Sequence, residues 1–355
     1  MVESLSELSK SESLILITGI TGFLGSQCCA LCLEQGYKVR GTVRSKQNTA
    51  KLQFIDSLPN KENLSIVEAD LEKEETWAPA IEGCDFIMHV ASPFPAKNPK
   101  HEDLLIKPAV QGTLCVLKAA ASAQRKVKHV VITSSVAAIV TIGKGKKIVY
   151  DENDWPVVKN LPAYPKSKTL AERAAWDFYN QLPKESRFRL STVNPGYILG
   201  PSLVSTDFTS AYLIVQLMIN KVPGIPKIIF PIVDVRDVAQ AHLAALEKGE
   251  IADGKRYPCT TGEMWFCDIA DTLRKEFAKF GYKITKKKLY YCTAKFVSFF
   301  NKEVKGIMPF WNQPYTVKND KAIVELGVRF NTKEDAVLQM AYSLIQHGVV
   351  PDKRK

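Results

Sequence analysis

No apolar run in this chain approaches the roughly 20 residues that a membrane-crossing helix requires. Lys, Pro, Asp or Gly interrupts every candidate. Residues 1–12 mix Ser, Glu and Lys with a few leucines and lack the basic start and continuous apolar stretch of a signal peptide. They read as a solvated tail on a soluble, cytoplasmic protein. A second cysteine pair at zinc-ligand spacing is also missing. Cys29 and Cys32 form one Cys-x-x-Cys, beside Cys28, inside a predicted helix, and the eight cysteines read as small buried thiols, not as a disulfide framework or a metal site. The basic clusters Lys144-Gly145-Lys146-Lys147, Lys286-Lys287-Lys288 and Lys353-Arg354-Lys355 lie far apart, with neither interleaved aromatics nor a recognition-helix pattern. The net charge of +11 therefore reads as a solvated surface, with no nucleic-acid and no membrane partner.

What the chain does have is a full core: 46% apolar and 24% charged residues over 355 positions suit one compact unit with two lobes. Short β-branched runs alternate with amphipathic stretches through the first two-thirds. Strands are predicted at Leu14–Thr18, Lys38–Val43, Leu64–Glu68, Phe86–Val90, Val127–Ser134 and Leu190–Asn194, with helices near 23–35, 47–57, 107–123 and 165–182. That order predicts an α/β fold, a doubly wound parallel sheet of the Rossmann type whose crevice lies at the carboxyl ends of the strands. After Pro195 the pattern loosens at Gly196, Gly200-Pro201, Pro223-Gly224, Pro226 and Pro231. The expected division is a dinucleotide-binding domain over 13–195 plus 232–258, returning to the main sheet, and a smaller interleaved C-terminal substrate lobe over 196–231 plus 259–352.

The apolar strand Leu14–Thr18 runs directly into Gly19-Ile20-Thr21-Gly22-Phe23-Leu24-Gly25 and then a helix. Strand, glycine loop and helix together mark a pyrophosphate site. Gly19 permits the tight turn, Gly22 brings backbone close to the anion, Gly25 allows close helix packing, and the helix start offers unpaired N–H groups. An NAD site usually carries an acid at the end of the second strand, for the ribose hydroxyls. Here no acid occurs between Tyr37 and Ile55, whereas Arg40, Arg44, Lys46 and Lys51 do. A 2′-phosphate fits that charge, so NADP(H) is the expected cofactor, with Arg44 stacking on adenine and Lys51 or Lys46 assisting. Asp70-Leu71 after the third strand and Val90-Ala91-Ser92 after the fourth are further cofactor contacts. His89 reads as an in-strand residue packed beneath the cofactor.

The buried strand Val130-Val131-Ile132-Thr133-Ser134-Ser135 ends in hydroxyls at the crevice, where one of them can stabilise a developing alkoxide. Tyr164 and Lys168 stand one helical turn apart in Tyr164-Pro165-Lys166-Ser167-Lys168. The same spacing recurs at Tyr282/Lys286 and Tyr291/Lys295, without a matching serine strand. Pro165 sets the first copy at a helix start, because proline is tolerated in a first turn and disruptive further in. Tyr164 then serves as proton donor to a carbonyl, and nearby positive charge from Lys168 is expected to bring its phenol toward neutral pH.

Taken in order, Thr18-Gly19-x-x-Gly22-Phe23-Leu24-Gly25, Thr42-Val43-Arg44, Asp70-Leu71, His89–Pro93, Gly112-Thr113, Ser134-Ser135, Tyr164 to Lys168, Asn194-Pro195, Gly200-Pro201 and Asp234-x-x-Asp237-Val238-Ala239 span nearly the whole chain. The set resembles the extended short-chain dehydrogenase/reductase family, in its branch near dihydroflavonol reductase, cinnamoyl-CoA reductase and the yeast aldehyde and ketone reductases. The resemblance implies a catalytic triad of Ser135, Tyr164 and Lys168, with Ser135 preferred to Ser134, and a nicotinamide end lined by Pro195 and Ile198. Flavonoid reductases have an asparagine where this chain has Val140, and the Lys-Asn-Trp-Tyr-Cys-Tyr run of cinnamoyl-CoA reductases is replaced by Lys159-Asn160-Leu161-Pro162-Ala163-Tyr164. Neither plant pathway follows. The expectation is an NADPH-dependent reductase of a small-molecule aldehyde or ketone, reversible as an alcohol dehydrogenase. Position alone suggests an apolar substrate pocket of Pro93, Phe94, Val140, Tyr197 and Tyr212. A nucleotide-sugar epimerase, a hydroxysteroid dehydrogenase and a non-enzymatic NADPH sensor are the alternatives.

Overall fold

The computed structural model describes residues 10–92, 101–141, 147–205 and 209–354. Strands β1 (Leu14–Ile17), β2 (Lys38–Val43), β3 (Leu64–Glu68), β4 (Phe86–His89), β5 (His129–Thr133), β7 (Arg189–Pro195) and β10 (Lys255–Cys259) make one seven-stranded sheet in the order β3-β2-β1-β4-β5-β7-β10. Every pairing in it is parallel. β6 (Val149–Tyr150) pairs with β12 (Thr316–Val317), while β8 (Tyr197–Leu199), β9 (Ile229–Asp234) and β11 (Gly262–Trp265) form a second, three-stranded sheet. The order reverses between β1 and β4, which opens the ligand crevice of a doubly wound sheet at their carboxyl ends.

Strand periodicity divides the core into two layers. Ile15, Ile17, Met88, Val131 and Val193 face one side, in a cluster with α1 (Phe23–Glu34) and α6 (Val235–Lys248). Leu16, Ile87, Val130 and Leu190 face the other, against Trp77 of α2 (Trp77–Ile81), α3 (Asp103–Ser122) and α4 (Ala163–Gln181). Both faces are covered, which is why these strands read as nearly continuous apolar runs. Among the described residues α3 alone has the length and hydropathy of a membrane-crossing helix. Its Leu105, Ala109, Val116, Leu117 and Ala120 are buried, and the helix packs on α4 and α2.

Three local differences from the sequence reading have physical causes. Residues 47–57, expected as an α-helix, wind as a 3-10 helix over Thr49–Ser57 that buries only Phe54. Without a broad apolar face to bury, there is little packing to hold a regular α-helix. The helix expected from 107 starts at Asp103 and carries Pro108 inside it. Burial of Leu105 against the core offsets the backbone hydrogen bond that proline removes. Within 232–258, Lys255–Cys259 joins the main sheet and α6 packs beneath it, but Ile229–Asp234 pairs with β8 and β11 instead. The expected tail is described only at Lys10–Glu12, an exposed 3-10 turn.

The smaller lobe is built on the second sheet, α5 (Tyr212–Met218), α7 (Phe266–Phe277) and the helix Lys333–Gln346. Asp234 caps α6 by accepting from the Arg236 N–H at 2.8 Å, and the Arg236 guanidinium bridges Asp234 to Asp335 at 2.8 and 2.7 Å. Asp237 accepts from the backbone of Asn331 at 2.9 Å. The Asp-x-x-Asp motif therefore ties α6 to the C-terminal segment.

Candidate active site

Gly19 has φ +71°, a left-handed conformation that disfavours side chains, and its N–H donates to the Thr42 hydroxyl at 3.0 Å. A Cβ at Gly25 would lie 2.3 Å from the Gly19 carbonyl oxygen, so only glycine lets α1 approach the loop this closely. Gly22 caps α1 with no side-chain acceptor, so no capping side chain satisfies the first-turn N–H groups. Thr21 is partly exposed beside it, and Phe23 and Leu24 are buried under the helix start. Loop, helix terminus and small residues make an anion cradle that suits a dinucleotide pyrophosphate.

At the end of β2, Arg44 is exposed and Lys51 partly exposed. Glu68 of the next strand lies opposite Val43 in the sheet and accepts from the Lys46 backbone N–H at 2.7 Å. Asp70 is a turn-former, its carboxylate accepting from the Glu72 N–H at 3.1 Å and its carbonyl from the Trp77 indole at 3.0 Å. Leu71 lines a cavity of about 20 Å³ with His89, Ala91, Ser92, Thr133, Ser134, Lys168 and Glu172.

His89 is buried, with Nδ1 3.1 Å from the Thr18 hydroxyl, which in turn accepts from the Ala91 N–H at 2.9 Å. Burial first, and the Lys168 charge second, hold its imidazole down to about 3. It is neutral at physiological pH and anchors the turn after β4, where Val90 is packed against the core.

Ser134 and Ser135 end β5 with different duties. Ser134 donates to the buried Glu172 carboxylate. Ser135 accepts from the Ala137 N–H at 3.1 Å and hydrogen-bonds with the Tyr164 phenol. Tyr164 is the second residue of α4, and Lys168 lies one turn on, its Nζ donating to the Ser92 hydroxyl at 3.1 Å and the Thr133 carbonyl at 3.4 Å. Burial raises the phenol above its ordinary 10, and the Ser135 bond works the other way. Burial also draws Lys168 down to about 8, opposed by the Glu172 charge. Lys168 is not among the groups that shift the phenol in this arrangement; burial and the Ser135 hydrogen bond are.

Behind Ser135, Tyr164 and Lys168 stands a polar network that the sequence reading missed. Glu172 is 2% exposed and receives Asn194 Nδ2 at 2.8 Å, Thr192 Oγ1 at 3.1 Å, Trp176 Nε1 at 3.3 Å and Arg256 Nε at 2.6 Å. Arg256 also donates to the carbonyls of Ala138, Glu152 and Asp154 at 2.9, 2.7 and 2.7 Å, and its guanidinium lies 3.8 Å from the Trp155 ring centre. The available signal was a lone acid one turn past Lys168 on an otherwise apolar helix face.

Pro195 ends β7 and is buried, and Ile198 in β8 is partly buried beside it. Of the expected substrate-pocket residues, Tyr197 packs on Phe230 at 5.3 Å between ring centres and donates to the Ser210 carbonyl at 2.8 Å, whereas Tyr212 is 57% exposed at the start of α5. Val140 belongs to a separate small apolar cluster. It is buried with Val136, Ile139, Tyr150 and Val317, because the 3-10 turn after Ser135 directs it toward β6 and β12. Pro93 and Phe94 lie outside the described residues. Cys28, Cys29 and Cys32 are buried free thiols whose ionisation burial pushes upward. Among the described residues no group of three His, Cys, Asp or Glu side chains is placed to hold a metal ion.

The profile of the 3-beta hydroxysteroid dehydrogenase/isomerase family matches residues 16–297. The anthocyanidin reductase ((2S)-flavan-3-ol-forming) of Vitis vinifera is 37% identical over 283 residues, which cover 74% of this chain and 81% of that protein. The cinnamoyl-CoA reductase CAD2 of Medicago truncatula is 38% identical over 249 residues, covering 67% and 74%. Among solved structures, yeast methylglyoxal/isovaleraldehyde reductase Gre2 complexed with NADPH superimposes with a TM-score of 0.79 at 26% identity, covering 95% of this chain and 99% of that one.

Proposed function

The chain belongs to the 3-beta hydroxysteroid dehydrogenase/isomerase family of extended short-chain dehydrogenases/reductases, and from that premise we propose that it reduces an aldehyde or ketone to the alcohol with NADPH. The observation that carries the reading is the hydrogen-bonded Ser135–Tyr164 pair at the end of β5, with Lys168 lining a cavity beside Ala91, which lies against Gly19 of the glycine loop. NADPH, when bound, supplies the hydride. Gly19, Gly22 and Gly25 with the start of α1 are the residues that would hold its pyrophosphate, and Arg44 and Lys51 its 2′-phosphate. Yeast Gre2, similar over nearly the whole chain, is complexed with the same cofactor.

In reduction, Tyr164 donates its proton to the substrate oxygen and Ser135 donates a hydrogen bond to that oxygen as it gains negative charge. A phenol held above 10 stays protonated at neutral pH, which suits an acid. Lys168, held by Ser92 and Thr133, presents its ammonium to the cofactor side of the crevice. His89, neutral and buried, keeps the floor beneath Ala91 and Ser92 fixed. In the reverse direction Tyr164 accepts the proton of the alcohol.

The test is NADPH oxidation by the purified protein over small aldehydes, α-dicarbonyls, aryl ketones, flavonoids and steroids, with NADH in parallel. Turnover of at least one class, faster with NADPH, is expected. Binding of NADPH with no oxidation across the panel would remove the reductase reading in favour of a sensor.

A further inference from the structure

Glu172 stands four residues after Lys168 on α4, so the two share a helix face. Both line the cavity under the crevice, with Ser92, Thr133 and Ser134. The partners of this carboxylate surround Ser135 on both sides in sequence and space. The Ser134 hydroxyl donates to Glu172 from the preceding residue, while Asn194 Nδ2 reaches Glu172 at 2.8 Å and the Ser135 carbonyl at 3.4 Å. Arg256 anchors the carboxylate at 2.6 Å and continues to the carbonyl of Ala138, which ends the turn that follows Ser135. A charge pair this deeply buried is weak evidence for stability, because its desolvation offsets its attraction. Its neighbours point to another role.

We propose that Glu172, anchored by Arg256, is a positioning residue for the reaction: it fixes the Ser134–Ser135 backbone against Tyr164 and presents its negative charge to the Lys168 ammonium. This rests on the reductase reading above. The groups lining the cavity with Lys168 are Glu172 from its own helix, neutral His89 from β4, Ser92, Thr133 and Ser134, and the uncharged Ala109 and Thr113 from α3; Tyr164 stands one turn back on the same helix, and Arg256 binds Glu172. Among the described residues Glu172 is the one acid on that cavity wall. Its charge opposes the burial that draws Lys168 down, so losing it moves the lysine further down.

The experiment compares wild type, Glu172→Gln and Ser134→Ala by kcat/KM against pH, by NADPH affinity against pH from fluorescence quenching, and by thermal unfolding. For wild type, NADPH affinity and rate fall as pH rises through the Lys168 value of about 8. Glu172→Gln is expected to move that fall to lower pH by about one unit, equivalent to roughly a fivefold loss near pH 8, approaching tenfold at higher pH, and little loss near pH 6. Ser134→Ala keeps the charge and is expected to lower kcat about tenfold with the pH profile in place. It also decides the positioning claim should Glu172→Gln fail to fold. A uniformly slower Glu172→Gln enzyme with an unshifted profile and a lower Tm, or Ser134→Ala with unchanged kcat, would overturn the inference while leaving the reductase reading intact. Absence of wild-type turnover overturns the reading instead, and the pH shift in NADPH affinity then still decides whether Glu172 governs Lys168.

Discussion

The Lys168 ammonium donates to the Ser92 hydroxyl at 3.1 Å, joining α4 to the residues after β4 across the floor of the crevice. The proposed function therefore gives the lysine a part on the cofactor side of the site as well as on the tyrosine side. Lys168→Met should weaken NADPH binding about tenfold and lower kcat by a further factor of about 10². Titration by fluorescence quenching separates the two losses, and unchanged NADPH affinity would confine Lys168 to the chemical step.

Tyr164→Phe removes one oxygen and leaves the ring that α4 positions. Turnover should fall by about 10²–10⁴, the contribution of a positioned general acid, with NADPH affinity within a few-fold of wild type. A variant that retains most activity would exclude Tyr164 as the proton donor.

Arg44 is exposed at the end of β2, and Glu68 across the sheet is engaged with the Lys46 backbone. Arg44→Ala should reduce the preference for NADPH over NADH by about tenfold or more, chiefly through KM for NADPH, because a charge-assisted contact to the 2′-phosphate is lost. Equal loss with both cofactors would place Arg44 on the adenine alone.

Gly25→Ala sets a methyl 2.3 Å from the Gly19 carbonyl oxygen, where backbone rather than a flexible side chain must move. Overpacking of this kind costs about 1–3 kcal/mol. The loop moves with it, so a lowered Tm should accompany weaker NADPH binding, whereas Gly36→Ala, with nothing within 4 Å of its Cβ but φ at +86°, should lower Tm alone.

Acid stability follows from three buried histidines. Burial holds His89 and His129 down to about 3 and His242 to about 4, against an ordinary 6.5. Between those values and 6.5 the unfolded chain binds protons that the native one does not, so stability falls as pH falls through that window. Asp237, raised to about 6 by burial, acts in the opposite sense between 3.8 and 6. Near pH 5 the unfolded state should hold about two more protons than the native state from these groups. Urea midpoints at pH 5 and 7 should show the difference, and His242→Asn should reduce the slope by about one proton.

The strand–glycine–helix unit was legible because its signals are local. The turn at Gly19, the packing at Gly25 and the helix start at Tyr164-Pro165 each depend on residues within a few positions. The boundary of α3 was not legible, since burial of Leu105 overrides the local preference of Pro108. Nor was the sheet joined by Ile229–Asp234, because an apolar run carries no mark of which neighbour will take its hydrogen bonds.

By itself the sequence determined the parallel sheet and the glycine loop, properties of short-range periodicity and spacing, and it singled out Tyr164 and Lys168 at a helix start, while the choice of Ser135 rested on the family resemblance. Tertiary structure alone decided what surrounds them. Glu172 meets Arg256 across 84 positions, Lys168 meets Ser92 across 76, and Glu68 arrives beside Lys46 from the next strand. Burial acts through space, so the upward shift of Tyr164 and the downward shift of Lys168 owe most to packing that no local pattern records, with Glu172, one turn from Lys168, the local exception.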